Sequence, residues 1–174
     1  RLEADDSVWI GILRANTSGQ ERPVFCAGAD LKAVSSGHGA SISTKRGGFG
    51  GFVYRERRKP IIAAMHGYCY GVGLRIAMYC DMTVASRDTK FQVTEVVRGI
   101  NGVPFWMMLQ QRGGGSFADD VCITGRAWTA EEAFGNKLLN RLAEPGQHMQ
   151  EAERLAAEIR SEEHTSELQS RVDI

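Results

Sequence analysis

Cysteine is scarce in this chain. The four present, Cys26, Cys69, Cys80 and Cys122, show no C-x-x-C spacing and sit among apolar neighbours, so they read as reduced core residues of a cytoplasmic protein. Histidine is equally thin. His38, His66, His148 and His164 stand far apart, with no H-x-x-x-H pair or Cys/His cluster, which argues against metal ligation. An excess of either charge is missing too: 21 Lys and Arg balance 21 Asp and Glu, leaving no basic field to attract nucleic acid or an anionic membrane. No apolar run is long enough to span a bilayer as a helix, and Arg1-Leu2-Glu3 is neither a start methionine nor a secretory leader. No internal repeat organises the chain.

What remains is the material of one globular domain, 174 residues with 43% hydrophobic content. Short apolar runs predict strands over 8–13, 24–27 and 82–86, and helical spacing predicts helices over 105–111, 117–123 and about 147–159. Gly113-Gly114-Gly115 stops the first of these helices, Ser116 is placed to cap the second, and Thr129 with Glu132 has capping-box spacing ahead of another. Strands alternating with helices make an α/β domain with crossover connections. Between 33 and 51 the composition turns to Ser, Gly, Thr, Lys and Arg, which predicts a mobile loop of the kind that binds or covers ligands. A short basic helix is expected over 52–58. Its Arg55, Arg57 and Arg58, with Lys59, form either a solvated face or a contact to ligand phosphates. The glycines at 47, 48, 50 and 51 are not followed by Lys-Ser/Thr, so they make no P-loop.

The densest signal lies at 59–81. Ile61-Ile62-Ala63-Ala64-Met65 is a short apolar run between Pro60 and Gly67 and reads as a buried strand, while Leu74, Ala77 and Met78 recur at helical spacing. Gly67, Gly71 and Gly73 make the connection a glycine-rich turn. Such a turn can present unpaired N–H groups at a helix start, and these stabilise a negative oxygen. A tight turn merely packed against a sheet is the competing reading. A dinucleotide fingerprint is not: after Gly71-Val72-Gly73 the third glycine and the acidic residue about 20 positions on are both missing.

Two segments taken together carry a resemblance. Phe25-Cys26-Ala27-Gly28-Ala29-Asp30-Leu31-Lys32 and Lys59-Pro60-Ile61-Ile62-Ala63-Ala64, through Gly67-Tyr68 to Cys80-Asp81, resemble the crotonase superfamily, also called the enoyl-CoA hydratase/isomerase family. Their order and separation fit, and the segments 91–100 and 123–133 look like further landmarks of it. The match covers about 2–159. The resemblance implies an α/β fold of the ClpP/crotonase type, a spiral of ββα units forming two sheets surrounded by helices, here incomplete. It also implies trimers or dimers of trimers when full length, an acyl-CoA thioester as substrate, and no cofactor, coenzyme A being part of that substrate. A front strand pair and helix would precede Leu2, and C-terminal helices would follow Ile159, so exposed sheet edge and uncovered apolar helix faces are expected of this piece. From Arg160 the chain changes character. Arg-Ser-Glu-Glu-His-Thr-Ser-Glu-Leu-Gln-Ser resembles, codon for codon, the translation of a widely used sequencing-library adapter, so 160–174 is expected to be a non-native tail on a crotonase-like core of 1–159.

By position, the resemblance puts the two oxyanion-hole N–H groups on Ala29 and Val72. It places Ala27, Gly28, Asp30 and Leu31 along the substrate path, with Lys32 and the basic cluster as phosphate contacts. Two backbone donors converging on a thioester oxygen favour the enolate formed when the α-carbon gains or loses a proton. Hydratases of this family hold a water between two glutamates. The second aligns with Glu95, but the first aligns with Arg75, which stays cationic and cannot serve as a general base. At ~4 Å and an effective dielectric near 20, such a cation would interact with Glu95 by about 4 kcal/mol and lower its pKa. Arg75 itself is either a structural or solvated residue or the binder of a substrate carboxylate. Val72 stands where the family usually has glycine, and Phe105-Trp106 replaces a commonly small stretch. Asp81 is expected to be a structural partner at a helix end, His66 a packed strand residue, and Asp30 a cap for the helix after its turn.

Three functions compete. The first is enolate chemistry of the enoyl-CoA hydratase/isomerase type, with single-base chemistry by Glu95, such as double-bond isomerisation, favoured over hydration. The second is a decarboxylase, or a carbon–carbon hydrolase or lyase, acting on a carboxylate-bearing acyl-CoA held by Arg75. The third is a crotonase-like binding protein without chemistry.

Overall fold

The computed structural model describes residues 2–30, 32 and 43–160. Leu31, His38 and the tail beyond Arg160 therefore lie outside the described residues. In chain order the strands are β1 (Gly11–Arg14), β2 (Val24–Cys26), β3 (Ser43–Thr44), β4 (Gly48–Phe49), β5 (Ile61–Met65), β6 (Tyr68–Tyr70), β7 (Met82–Ser86), β8 (Lys90–Gln92), β9 (Ala127–Thr129) and β10 (Arg141–Ala143). The α-helices are α1 (Val72–Met78), α2 (Val103–Arg112), α3 (Gly115–Thr124), α4 (Ala130–Gly135) and α5 (His148–Arg160).

Apart from the β3–β4 pair and the neighbours β8 and β9, successive strands alternate between two sheets. One sheet has the order β1-β5-β7-β10 and the other β2-β6-β8-β9, so β5-β6-α1 is one ββα unit and the strands β7 and β8 repeat its step. The first sheet is parallel throughout; in the second only the β8–β9 pair is antiparallel. This is the ββα spiral that the family resemblance implies.

β5 shows why its sequence is continuously apolar rather than alternating. It lies between β1 and β7 with both faces covered, the situation that removes the polar face of a strand. Ile61, Ala63 and Met65 face a core shared with Leu74, Met78 and Phe91, while Ile62 and Ala64 face a second core with Val84, Ala152 and Leu155 of α5. α1 buries Gly73, Leu74, Ala77 and Met78. Gly73 is required by close approach: a Cβ there would stand 2.5 Å from the Cys26 Cβ and 2.6 Å from the Cys26 carbonyl oxygen. Alanine is the better helix former by roughly 1 kcal/mol, yet overpacking against backbone costs on the order of 1–3 kcal/mol, so glycine wins here. The helix start is thereby pressed onto the end of β2, where the chain turns through Ala27, Gly28 and Ala29.

Several expectations are corrected. Tyr68-Cys69-Tyr70, read as part of a glycine turn, is strand β6, and the three-residue strands β9 and β10 had no separate signal. The described part of the expected loop, 43–51, contains the antiparallel β3–β4 pair. No helix forms over 52–58. The backbone N–H groups of Arg58 and Lys59 donate to the Glu3 carboxylate at 3.0 and 3.4 Å instead of to carbonyls one turn back, which holds this stretch open. Ser116 lies inside α3, whose cap position is Gly114 and carries no side-chain cap bond. The capping box of α4 is formed in both halves: Glu132 N–H donates to Thr129 Oγ1 at 3.1 Å, and Thr129 N–H to Glu132 Oε2 at 2.9 Å. The Ile61 N–H donates to Asp81 Oδ2 at 2.8 Å, a structural tie between β5 and the end of α1. His66 follows β5 rather than lying in it, bonds to Thr17 Oγ1 at 2.9 Å and stacks on His148 with centroids 4.2 Å apart. Among the described residues no helix is long and apolar enough to cross a membrane.

Candidate active site

A cleft of about 570 Å³ opens where the β2 turn meets the start of α1. Ala27, Gly28 and Ala29 form one side, Val72 and Arg75 of α1 another, and Thr94 and Glu95, from the segment after β8, a third. Helix packing sets this arrangement. A Cβ built on Gly28 would lie 3.8 Å from the Val72 nitrogen, and one on Gly71 would lie 3.7 Å from the Gly28 Cα, so the two turns touch. Gly71 has φ 49° and ψ −124°, a conformation open to glycine, and its N–H donates to the Gln92 carbonyl at 3.0 Å. That bond ties the turn to the segment carrying Glu95. Among the described residues no backbone or side-chain acceptor meets the N–H of Ala29 or of Val72. Val72 is the first residue of α1, where an N–H has no acceptor in its own helix.

Glu95 is buried, 9% exposed, at the head of the 3-10 turn Val96–Arg98. One carboxylate oxygen, Oε2, is buried with no hydrogen-bond partner. The other, Oε1, would stand 3.1 Å from a Cβ on Gly71, so glycine there also leaves room for the carboxylate. Burial pushes the Glu95 pKa above the ordinary glutamate range; hydrogen bonds from its own backbone and from Thr94, and more weakly the Arg75 charge, pull the other way without prevailing. This corrects the expected lowering by Arg75. The cation contributes in the expected direction, but removal of the carboxylate from water is the larger effect.

Arg75 is half-buried, and among the described residues it makes no ion pair. Its Nη2 donates to the Tyr54 hydroxyl at 2.8 Å, and its guanidinium carbon lies 5.6, 5.7 and 6.0 Å from the ring centres of Tyr54, Tyr79 and Phe105. Its Nε is buried without a partner. This aromatic surround was not legible in the sequence, because Tyr54, Tyr79 and Phe105 come from separate elements and share no motif. Phe105 stood out only as a departure in size.

The remaining candidates are placed differently. Asp30 accepts from the Lys32 N–H at 2.9 Å through Oδ1, a turn contact, and does not line the cleft. Leu31 lies outside the described residues. The basic cluster is also elsewhere: Arg57 Nη2 donates to the Tyr79 carbonyl at 2.6 Å, and the Lys59 ammonium donates to the carbonyls of Leu2 and Asp5. These contacts join chain segments rather than face the cleft. Cys69, Cys80 and Cys122 sit in the core, whereas Cys26, expected there too, is half-buried; burial pushes Cys80 up to about 12 and Cys122 up to about 11, so both stay protonated at neutral pH. Among the described residues no group of three or more His, Cys, Asp or Glu is placed to hold a metal.

The model of the family described as enoyl-CoA hydratase/isomerase matches residues 3–173. A carnitinyl-CoA dehydratase of Proteus mirabilis is 33% identical over 164 residues, covering 91% of this chain and 60% of that protein. A mevalonyl-coenzyme A hydratase of Aspergillus fumigatus is 35% identical over 138 residues, covering 78% of this chain and 51% of its own length. Among solved structures, an enoyl-CoA hydratase from Mycobacterium marinum superposes with a TM-score of 0.80 at 37% identity, covering 91% of this chain and 60% of the other. A carnitinyl-CoA hydratase from Mycobacterium avium gives 0.79 at 30% identity, covering 99% and 66%. The chain thus spans between about half and two thirds of the length of these proteins. With the ββα spiral, the paired turns and the matches pointing the same way, this chain belongs to the enoyl-CoA hydratase/isomerase family of the crotonase superfamily.

Proposed function

We propose that this protein acts on an acyl-CoA thioester, holding the thioester oxygen on the N–H groups of Ala29 and Val72 and moving a proton at the α-carbon with Glu95. The observation that carries this reading is a buried glutamate, with one unpartnered oxygen, facing the same cleft as two unmatched backbone donors. Donors fixed where negative charge develops stabilise it without reorganisation. A carboxylate whose pKa is raised by burial is a stronger base once ionised and a better proton carrier near neutral pH.

Among the described residues that line the cleft, Glu95 is the only carboxylate, so single-base chemistry is the reading favoured here. In a 3-enoyl thioester, Glu95 takes a proton from C2, and the electron pair delocalises through the diene onto the thioester oxygen. The same carboxyl then returns a proton to C4, leaving the 2-enoyl product. Atoms and charge balance with no second acid or base. Hydration requires a held water, and Arg75 cannot take its proton.

The test is to offer matched 3-enoyl- and 2-enoyl-CoA, separate the products by chromatography against authentic isomers, which share one mass, and identify the hydrated product by its added water. Isomerisation faster than hydration is expected. Hydration at an equal or greater rate would contradict the single-base reading, and thioester binding with neither product would identify a binding protein without chemistry.

A further inference from the structure

We infer that Arg75 is an anion anchor, and that the acyl group taken by this cleft carries a carboxylate of its own. The inference rests on the reading of the cleft as a thioester site and adds the chemical class of the acyl group. Other partly buried arginines of this chain meet a carboxylate: Arg57 lies 3.9 Å from Asp81 and bonds the Tyr79 carbonyl, although its Nε too is buried without a partner; Arg112 differs, donating only to the Cys80 carbonyl. Arg126 pairs with Asp120 and Glu132 at 2.7 and 2.8 Å. Arg75 has no such partner among the described residues. Its one hydrogen bond, to Tyr54, engages a neutral hydroxyl, and the three rings orient the guanidinium without cancelling its charge.

Glu95 feels the Arg75 charge but makes no ion pair with it. Its Oε2 and the Arg75 Nε are both buried and both without a hydrogen-bond partner, so the two groups do not satisfy each other. Among the described residues, the charged side chains lining the cleft are Arg75, Arg98 and Glu95, an excess of one positive charge with Glu95 ionised. A half-buried guanidinium held in place by its aromatic neighbours and left with free donors binds a carboxylate through charge-assisted, fork-shaped hydrogen bonds. Lysine is a point charge and reproduces the charge but not the fork.

The experiment is calorimetric titration of the 174-residue chain with two thioesters that share one acyl backbone, glutaryl-CoA and its neutral methyl ester, with free coenzyme A as reference. Wild type is expected to bind glutaryl-CoA at least about 10-fold tighter than the ester. Arg75→Met, which keeps the apolar stem, is expected to bring the ratio to about one by weakening glutaryl-CoA alone, and Arg75→Lys to retain part of it. Thermal melts of all three forms accompany the titrations; because the ratio compares two ligands on one sample, a partly unfolded variant still gives a reading. Equal affinities in wild type, or a ratio unchanged in Arg75→Met, would overturn the anchor while leaving the thioester site intact. Failure of both thioesters to bind better than free coenzyme A would overturn the thioester reading and the anchor with it.

Discussion

Glu95→Gln is expected to lower turnover by on the order of 10²–10⁴-fold, the usual contribution of a positioned acid or base, while thioester affinity stays close to wild type. Glutamine keeps the shape and hydrogen-bonding reach of the side chain but cannot carry a proton between carbons. The pH dependence adds an independent reading. Proton abstraction needs the ionised form, so the wild-type rate should climb with pH through a Glu95 pKa lying above the ordinary glutamate range. Stability should run the opposite way. A carboxyl whose folded pKa is raised favours the protonated form in the fold, so its contribution is fully present below the unfolded glutamate pKa and is lost as pH rises through the folded value. Glutamine never ionises and escapes that loss. Glu95→Gln should therefore melt above wild type at neutral pH, with the gap closing in acid. Full activity of the variant in a product assay would remove Glu95 from the mechanism.

The second large effect concerns a backbone atom. Val72→Pro deletes one proposed oxyanion donor and should lower kcat by about 10²–10³-fold. The fold is expected to tolerate it. Val72 is the first residue of α1, the position where proline is favoured because its missing N–H has no acceptor in the helix. The ψ of −124° at Gly71 also lies outside the α region that a following proline excludes. Val72→Ala keeps the N–H and is the matched control, with near-normal turnover expected. Equal kcat for the proline and alanine variants, both folded by circular dichroism, would show that this N–H does not hold the developing charge.

The parts of this molecule that were legible in its sequence are those where local pattern and tertiary burial agree. The run at 61–65 is apolar at every position because β5 is covered on both faces, and the box at Thr129 and Glu132 forms from residues one turn apart. The misread stretches are those decided by distant partners. Glu3 takes the N–H groups of Arg58 and Lys59 from 55 and 56 positions away, which no local propensity for helix at 52–58 could reveal. β6 is three residues between two glycines, too short for any period to show. At the candidate site, the sequence held the charges of Glu95 and Arg75 but not their burial. That is why the direction of the Glu95 pKa came out reversed, and why the ring surround of Arg75 was not anticipated.

The central claim is that this cleft stabilises a thioester enolate and that Glu95 moves the proton, and it can be tested without knowing the natural acyl group. A saturated acyl-CoA, with titration showing that it is bound, would be incubated with the protein in D2O and its α-carbon followed by mass spectrometry. Wild type should place deuterium at the α-carbon, with Glu95→Gln and Val72→Pro both failing to do so. A bound thioester that gains no deuterium with wild type, or gains it equally with Glu95→Gln, would contradict the account.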